Sequence, residues 1–289
     1  KYAGEFMRNI PHMTTCGNND LVEKKYGFAF NHYATYEGAP KFSDLGGTVA
    51  TRDAEMVSTY SFDMGFTHFI CLNSNEEQMY NDYGIDKTQF LDKQARFLDK
   101  DLWEVSQRST KPRWVIVYAH LGPFSVTRAP RLQHWVPILE HYGVDLFLFG
   151  HNHSYCRSIP LKTGYSGSTS KSDYNTYVPA SGTNYTVVNE LQANGSEIDR
   201  DPHPSNGTYY ILCQASGSKT SGKEKNIELN KYTLVDSQGT PIPDGPEKTK
   251  HFSKTITSRP WWYAADLISK QPSFCTLSIT KDAINFASN

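Results

Sequence analysis

The run Val144-Asp145-Leu146-Phe147-Leu148-Phe149, closed by Gly150-His151-Asn152-His153, constrains this chain more than any other stretch. Short, apolar and rich in branched and aromatic side chains, it reads as a buried strand whose closing glycine opens a turn from which two imidazoles emerge. In an open α/β sheet, ligands gather at that end of the strands. A His-x-His pair alone is common on surfaces and in cores, so its meaning depends on what else reaches the same place.

Upstream, Trp114-Val115-Ile116-Val117-Tyr118-Ala119 has the same character and ends at His120. Between the two strands, Pro130 to Tyr142 is expected to be helical, with Leu132, Trp135, Val136, Ile138 and Leu139 sharing an apolar face despite Pro137. Strand, helix, strand is a βαβ unit, which makes the two strands parallel. His120 and His151 then leave the sheet at one end. A further stretch, Ile10-Pro11-His12-Met13-Thr14-Thr15-Cys16, reads as a strand that turns at Gly17-Asn18-Asn19-Asp20.

The remaining pattern fills in one domain, residues 1–289, of α/β class. Thr59 to Phe62 and Thr67 to Leu72 flank a glycine-bearing turn and predict a β-hairpin, with His68 on a strand face rather than at a metal. Leu91, Ala95, Leu98, Leu102 and Val105 recur at four- and three-residue steps and predict a helix over Thr88 to Arg108. Residues 162–206 are polar and read as a surface insertion. Thr208 to Cys213 resumes as a strand, and Phe274 to Ile279 with Ala283 to Phe286 predicts a terminal hairpin.

Charge and composition exclude several classes of function. Lys and Arg number 29 against 30 Asp and Glu, a net charge of -1, so nothing calls for nucleic acid or an anionic membrane as partner. No apolar run is long enough to cross a bilayer. Five scattered cysteines contain no Cys-x-x-Cys pair, and the odd number leaves at least one outside any pairing within the chain. Sequons at Asn184, Asn194 and Asn206 favour a secreted, cell-surface or lysosome-like route and predict glycosylation there. Lys1 is expected to be a processed end or the edge of a partial chain, because neither an initiator methionine nor a signal peptide precedes it.

His120, His151 and His153 supply three imidazole ligands at one sheet edge, and Asn18 adds an amide oxygen suited to a hard cation. Such a set suits a two-metal site, where cations roughly 3.5–4 Å apart activate water and clamp a phosphoryl oxygen, the needs of phosphoester hydrolysis. A single structural zinc is the other metal reading, though such sites usually close with cysteine and none sits in these turns.

These motifs carry a family resemblance. Val117-Tyr118-Ala119-His120, Gly150-His151-Asn152-His153 and Gly17-Asn18-Asn19-Asp20 resemble the Val-x-x-His, Gly-His-x-His and Gly-Asn-His-Asp/Glu elements of the purple acid phosphatases, within the calcineurin-like metallophosphoesterases. Tyr60 to Gly65, Leu72-Asn73-Ser74 and the helix through Phe97 to Leu102 support it, in matching order. The resemblance implies a β-sandwich of two facing mixed sheets flanked by helices, with its amino-terminal portion missing from this chain. It implies that Asn18, His120 and His151 bind a divalent metal (zinc, manganese or iron) and that His153 binds a second, iron-holding site. It places Asn19 and Asp20 at catalytic positions and makes a phosphate ester the substrate.

The departures from the family pattern shape the expectation. The Asp-x-Gly and Gly-Asp-x-x-Tyr elements have no match before Gly17, so an upstream fragment of the same protein is the implied partner that completes the site. Asn19 stands where the family has a histidine, and an amide cannot titrate as a general acid. Leu121 to Gln133 holds no histidine; Arg128 is the nearest cation there, either a phosphate contact or a solvated loop residue. Two functions follow: metal-dependent phosphomonoester hydrolysis, or a pseudoenzyme that keeps the fold as a structural or surface-binding module.

Overall fold

The computed structural model describes residues 11–20, 59–123, 135–151, 155–158, 161–163, 185–187, 207–213, 263–267 and 274–288. Its centre is a seven-stranded mixed sheet in the order β1-β2-β3-β4-β8-β5-β9. The strands are β1 (Tyr60–Met64), β2 (Thr67–Leu72), β3 (Trp114–Ala119), β4 (Leu146–Phe149), β5 (Tyr155–Ser158), β8 (Tyr209–Leu212) and β9 (Tyr263–Leu267). β2, β3, β4 and β8 run parallel in succession. Each is a near-continuous apolar run because both of its faces are covered.

β1 and β2 form the expected hairpin, linked through Gly65 at φ 60. Two helices follow. The first, α1 (Glu76–Tyr83), escapes sequence reading because its sequence is mostly polar, with Met79 the buried apolar side chain among those described. The second, α2 (Lys87–Ser106), matches the predicted stripe, and the Asp86 side chain caps it by accepting the Gln89 N–H at 2.9 Å. The crossover helix α3 (Val136–His141) lies within the predicted span, of which residues 130–134 fall outside the described ones. β3 and β4 are parallel, with Ile116, Val117 and Tyr118 opposite Leu146, Phe147 and Leu148.

Period-two alternation sends side chains to two cores. On one face Ile70, Leu72, Val117, Ala119, Phe147, Phe149, Tyr210 and Leu212 pack under Leu98 and Leu102 of α2 and Ile138 and Leu139 of α3. Each such side chain fully removed from water contributes about 1.5–3 kcal/mol. On the other face Phe69, Ile116, Leu146, Tyr209 and Ile211 meet the terminal hairpin of β10 (Cys275–Ile279) and β11 (Ile284–Ser288) through Leu277, Ile279, Ile284 and Phe286. Phe286 stacks on Tyr155 at 6.0 Å between ring centroids, and the Trp114 indole N–H donates to the Thr280 carbonyl at 2.7 Å. Among the described residues this hairpin is what faces the large sheet as a second β layer. At the start of the polar insertion, β6 (Leu161–Thr163) pairs with β7 (Tyr185–Val187), and the sequons Asn184, Asn194 and Asn206 lie outside the described residues.

His68 lies on a strand face, as its alternation predicts, but with a role sequence alone does not disclose. It is 1% exposed, with Nδ1 2.7 Å from an Asp63 oxygen and Nε2 2.6 Å from an Asp101 oxygen. Carboxylates only accept, so both ring nitrogens donate and the ring is an imidazolium. Burial opposes that charge, but the hydrogen bonds and Coulombic attraction of Asp101, then of Asp63, outweigh it and hold the pKa above the ordinary histidine value. Arg108 also bonds Asp63, at 3.0 Å. The β1–β2 hairpin is thereby fastened to α2.

The strand expected through Ile10 to Cys16 is not formed over its described part: residues 11–17 have no ladder. Side chains take the carbonyls a ladder would use. The Tyr60 hydroxyl donates to Thr14 O at 2.8 Å, Tyr118 to Met13 O at 3.4 Å, and the Asn75 amide to Cys16 O at 2.7 Å. Thr15 adds a bond to Leu72 O at 3.4 Å, and Pro11 has no N–H to give. An irregular segment is thus docked at the carboxyl ends of β2 and β3.

Candidate metal centre

Three loops meet at that edge. β3 ends at Ala119 and delivers His120; β4 ends at Phe149 and delivers His151 one residue beyond Gly150, whose N–H donates to His120 O at 2.9 Å. The register of β3 on β4 therefore sets the two imidazoles side by side, their centroids 5.1 Å apart and their planes at 86°. The docked segment ends in a short 3-10 turn, Asn18–Asp20, that carries Asn18 to them.

Their polar atoms converge. Asn18 Oδ1 lies 2.7 Å from His120 Nε2 and 3.1 Å from His151 Nδ1, and the two nitrogens are 3.2 Å apart. Ligand atoms about 2.1 Å from one shared cation sit about 3 Å from each other, so an amide oxygen and two imidazole nitrogens at these separations fit a borderline divalent metal. Among the described residues no three His, Cys, Asp or Glu side chains gather around a metal position. The cluster here is two imidazoles and an amide.

The backbone around it is specialised. His151 has φ 72, the left-handed region that few non-glycine residues occupy, and the turn it makes aims Nδ1 at His120. Gly17 is kept bare by close approach, since a Cβ there would stand 3.3 Å from His120 Nδ1 and Cε1. Asp20 folds inward on its own loop: its carboxylate accepts the Gly17 N–H at 2.8 Å, while its N–H donates to Gly17 O at 3.0 Å. Asn19 is exposed next to the cluster. Cys16 is fully buried, and its burial, then Asp20 and Cys71, pushes its thiol pKa well up.

Residues given no role by sequence reading support these loops. The polar run after β2 reaches both of them. Ser74 Oγ accepts the Leu121 N–H at 2.6 Å, and Asn75 holds Cys16 O while its own N–H and amide bond Asn73 Oδ1. The available signal was a cluster of small polar residues directly after an apolar strand at the ligand-bearing end of the sheet. Of the remaining sequence candidates, His153 and Arg128 lie outside the described residues.

Comparison with known proteins follows the same region. A family model described as "Calcineurin-like phosphoesterase" matches residues 1–155. The chain is similar to an uncharacterized protein of Mycobacterium tuberculosis strain H37Rv, 29% identical over 54% of this chain and 29% of that protein. It is similar to human "Acid phosphatase type 7", 28% identical over 53% of this chain and 34% of that protein. It is similar to an Arabidopsis thaliana protein named "Probable inactive purple acid phosphatase 9", 26% identical over 52% of this chain and 23% of that protein. A purple acid phosphatase structure from yellow lupin (Lupinus luteus) seeds matches with a TM-score of 0.39 and 15% identity, over 89% of this chain and 37% of that one. The chain thus spans about a third or less of the length of these curated relatives.

Proposed function

Because the chain belongs to the calcineurin-like phosphoesterase family, we propose that it hydrolyses phosphate monoesters at a dinuclear metal centre. Asn18, His120 and His151 hold one divalent cation, zinc, manganese or iron, and His153 belongs to a second, iron-holding position completed by carboxylates from an upstream segment. The convergence of Asn18 Oδ1, His120 Nε2 and His151 Nδ1 within 2.7–3.2 Å of one another is the observation that supports this reading. When bound, the metals supply an activated water and a clamp on the phosphoryl oxygens.

The chain's own residues do the positioning. Gly150, through its N–H to His120 O, couples the two imidazole-bearing turns, and Asp20 closes the loop that presents Asn18. Ser74 fixes the backbone just after His120. Asn19, exposed beside the cluster, can donate a hydrogen bond to a phosphate oxygen but cannot deliver a proton to a leaving group. The same side chain favours a second reading, a protein that binds metal and phosphate without turnover and serves as a surface interaction module. A secreted or lysosome-like setting with glycosylation at Asn184, Asn194 and Asn206 accompanies either.

The test combines metal analysis with hydrolysis of p-nitrophenyl phosphate across acidic pH, on the native-length protein and on His120→Ala and His151→Ala. We expect each substitution to weaken divalent-metal binding by at least about 100-fold, the upper end for groups that only orient ligands, and to abolish turnover. Metal affinity indifferent to both substitutions would overturn the assignment. Metal-sensitive phosphate binding with no turnover selects the second reading.

A further inference from the structure

The terminal hairpin meets the large sheet at two cysteines that the proposed centre does not use. β8 runs directly into Cys213, and alternation puts Tyr209, Ile211 and Cys213 on the face the hairpin covers. In β10, Cys275, Leu277 and Ile279 are the half-buried positions between exposed Thr276 and Ser278, so Cys275 shares the face that packs on the sheet. One step beyond the Cys156–Leu212 pair of the β5–β8 ladder, Tyr155 stands opposite Cys213. Tyr155 stacks on Phe286, the ladder partner of Leu277 two residues from Cys275. The Cys275 side chain is also the first cause that raises the Cys213 pKa. Cys213 is further held by its N–H to Phe149 O at 2.7 Å, and Cys275 lies opposite Ser288 in the hairpin ladder.

We propose that Cys213 and Cys275 are a disulfide site that staples the terminal hairpin to the central sheet. All five cysteines are thiols in this structure. The other three, Cys16, Cys71 and Cys156, are 0%, 0% and 1% exposed, and Cys156 faces the opposite core. Burial pushes the Cys71 pKa up to about 12. With Cys156 on the far face, no third thiol joins the pair to make a metal set.

Closure breaks both S–H bonds and forms one S–S bond. The two electrons and two protons pass to a small-molecule disulfide such as oxidised glutathione, which is cleaved to two thiols. The neighbouring Cys275 thiol and then burial raise the Cys213 pKa, so little thiolate is present in the docked fold and the bond forms while the hairpin is docking. The long loop it closes contains β9, the edge strand of the sheet. Long closed loops are where a cross-link most restricts the unfolded chain.

The full chain is folded in a glutathione redox buffer, alkylated with iodoacetamide without reduction, and peptide-mapped by mass spectrometry. We expect one linked pair, Cys213 with Cys275, lighter by two hydrogens than the separate peptides. Reduction should lower the thermal midpoint by about 6 °C or more. Cys275→Ser should show that loss under oxidising conditions and none relative to the reduced wild type. Alkylation of both thiols in protein that is folded by circular dichroism overturns the proposal, as does linkage of either to another cysteine. If Cys275→Ser does not fold, the wild-type peptide map still decides.

Discussion

At Gly122 one missing methyl group keeps the candidate centre in shape. A Cβ there would stand 2.3–2.5 Å from three ring atoms of Phe149, a residue only 4% exposed and directly before Gly150 and His151. The ring cannot yield without moving the turn that carries His151. Gly122→Ala should therefore cost about 1–3 kcal/mol in urea unfolding and also weaken metal binding, although no atom of residue 122 is a ligand. Phe149→Leu in the same chain should recover part of both losses, because it relieves the overlap. Stability and metal affinity both unchanged in Gly122→Ala would show that Phe149 has room the packed core does not display. The need for glycine at 122 was invisible in the sequence, where it is one of 20 glycines. That His120 and His151 leave neighbouring strand ends was legible, because histidines directly after apolar strands are conspicuous.

At the scale of elements, the clamp between the β1–β2 hairpin and α2 sets a pH dependence. His68 has a pKa raised above 6.5, so its contribution is fully present below pH 6.5 and is lost as pH climbs through the raised value. For Asp63 burial acts upward, but bonds and charges from His68 and Arg108 prevail and lower its pKa from 3.8. Its contribution is present above pH 3.8 and is lost as pH falls through the lowered value. His68→Asn should then cost about 1.5–3 kcal/mol, the scale for losing hydrogen bonds to charged groups, in a plateau between about pH 4 and pH 6.5. The gap from wild type should shrink at more alkaline pH, as read by urea midpoints across a pH series. A gap that widens from pH 6 to pH 9 would refute the charged state assigned to His68. The period-two pattern revealed that this histidine sits on a strand face; only the fold brought Asp101, 33 residues away, to its far nitrogen.

For the whole molecule, the candidate centre is assembled from distant parts of the chain. Asn18 reaches across 102 residues to His120 and 133 to His151, spans whose closure entropy grows only slowly with length. The parallel sheet makes the meeting possible by presenting several strand ends along one edge. If the proposed second metal draws its carboxylates from a preceding segment, the polypeptide beginning at Lys1 should bind about one metal per chain. A longer native polypeptide should bind about two, counted by metal analysis after exhaustive dialysis. Equal stoichiometry in the two would remove the upstream segment from the proposal.

The sequence by itself determined the α/β class, the βαβ unit that makes β3 and β4 parallel, the terminal hairpin, and the two strand ends that deliver His120 and His151. These follow from periodicity and from glycine placement, which are local properties of the chain. It did not determine that residues 11–17 dock without a ladder, because that depends on Tyr60, Asn75 and Tyr118 taking their carbonyls from elsewhere in the fold. Nor did it disclose the Ser74 and Asn75 supports, the charge on His68, or the meeting of Cys213 with Cys275. Each of these is a contact between side chains far apart in sequence. Only tertiary packing, by setting register and excluding water, could decide which polar atoms would face one another.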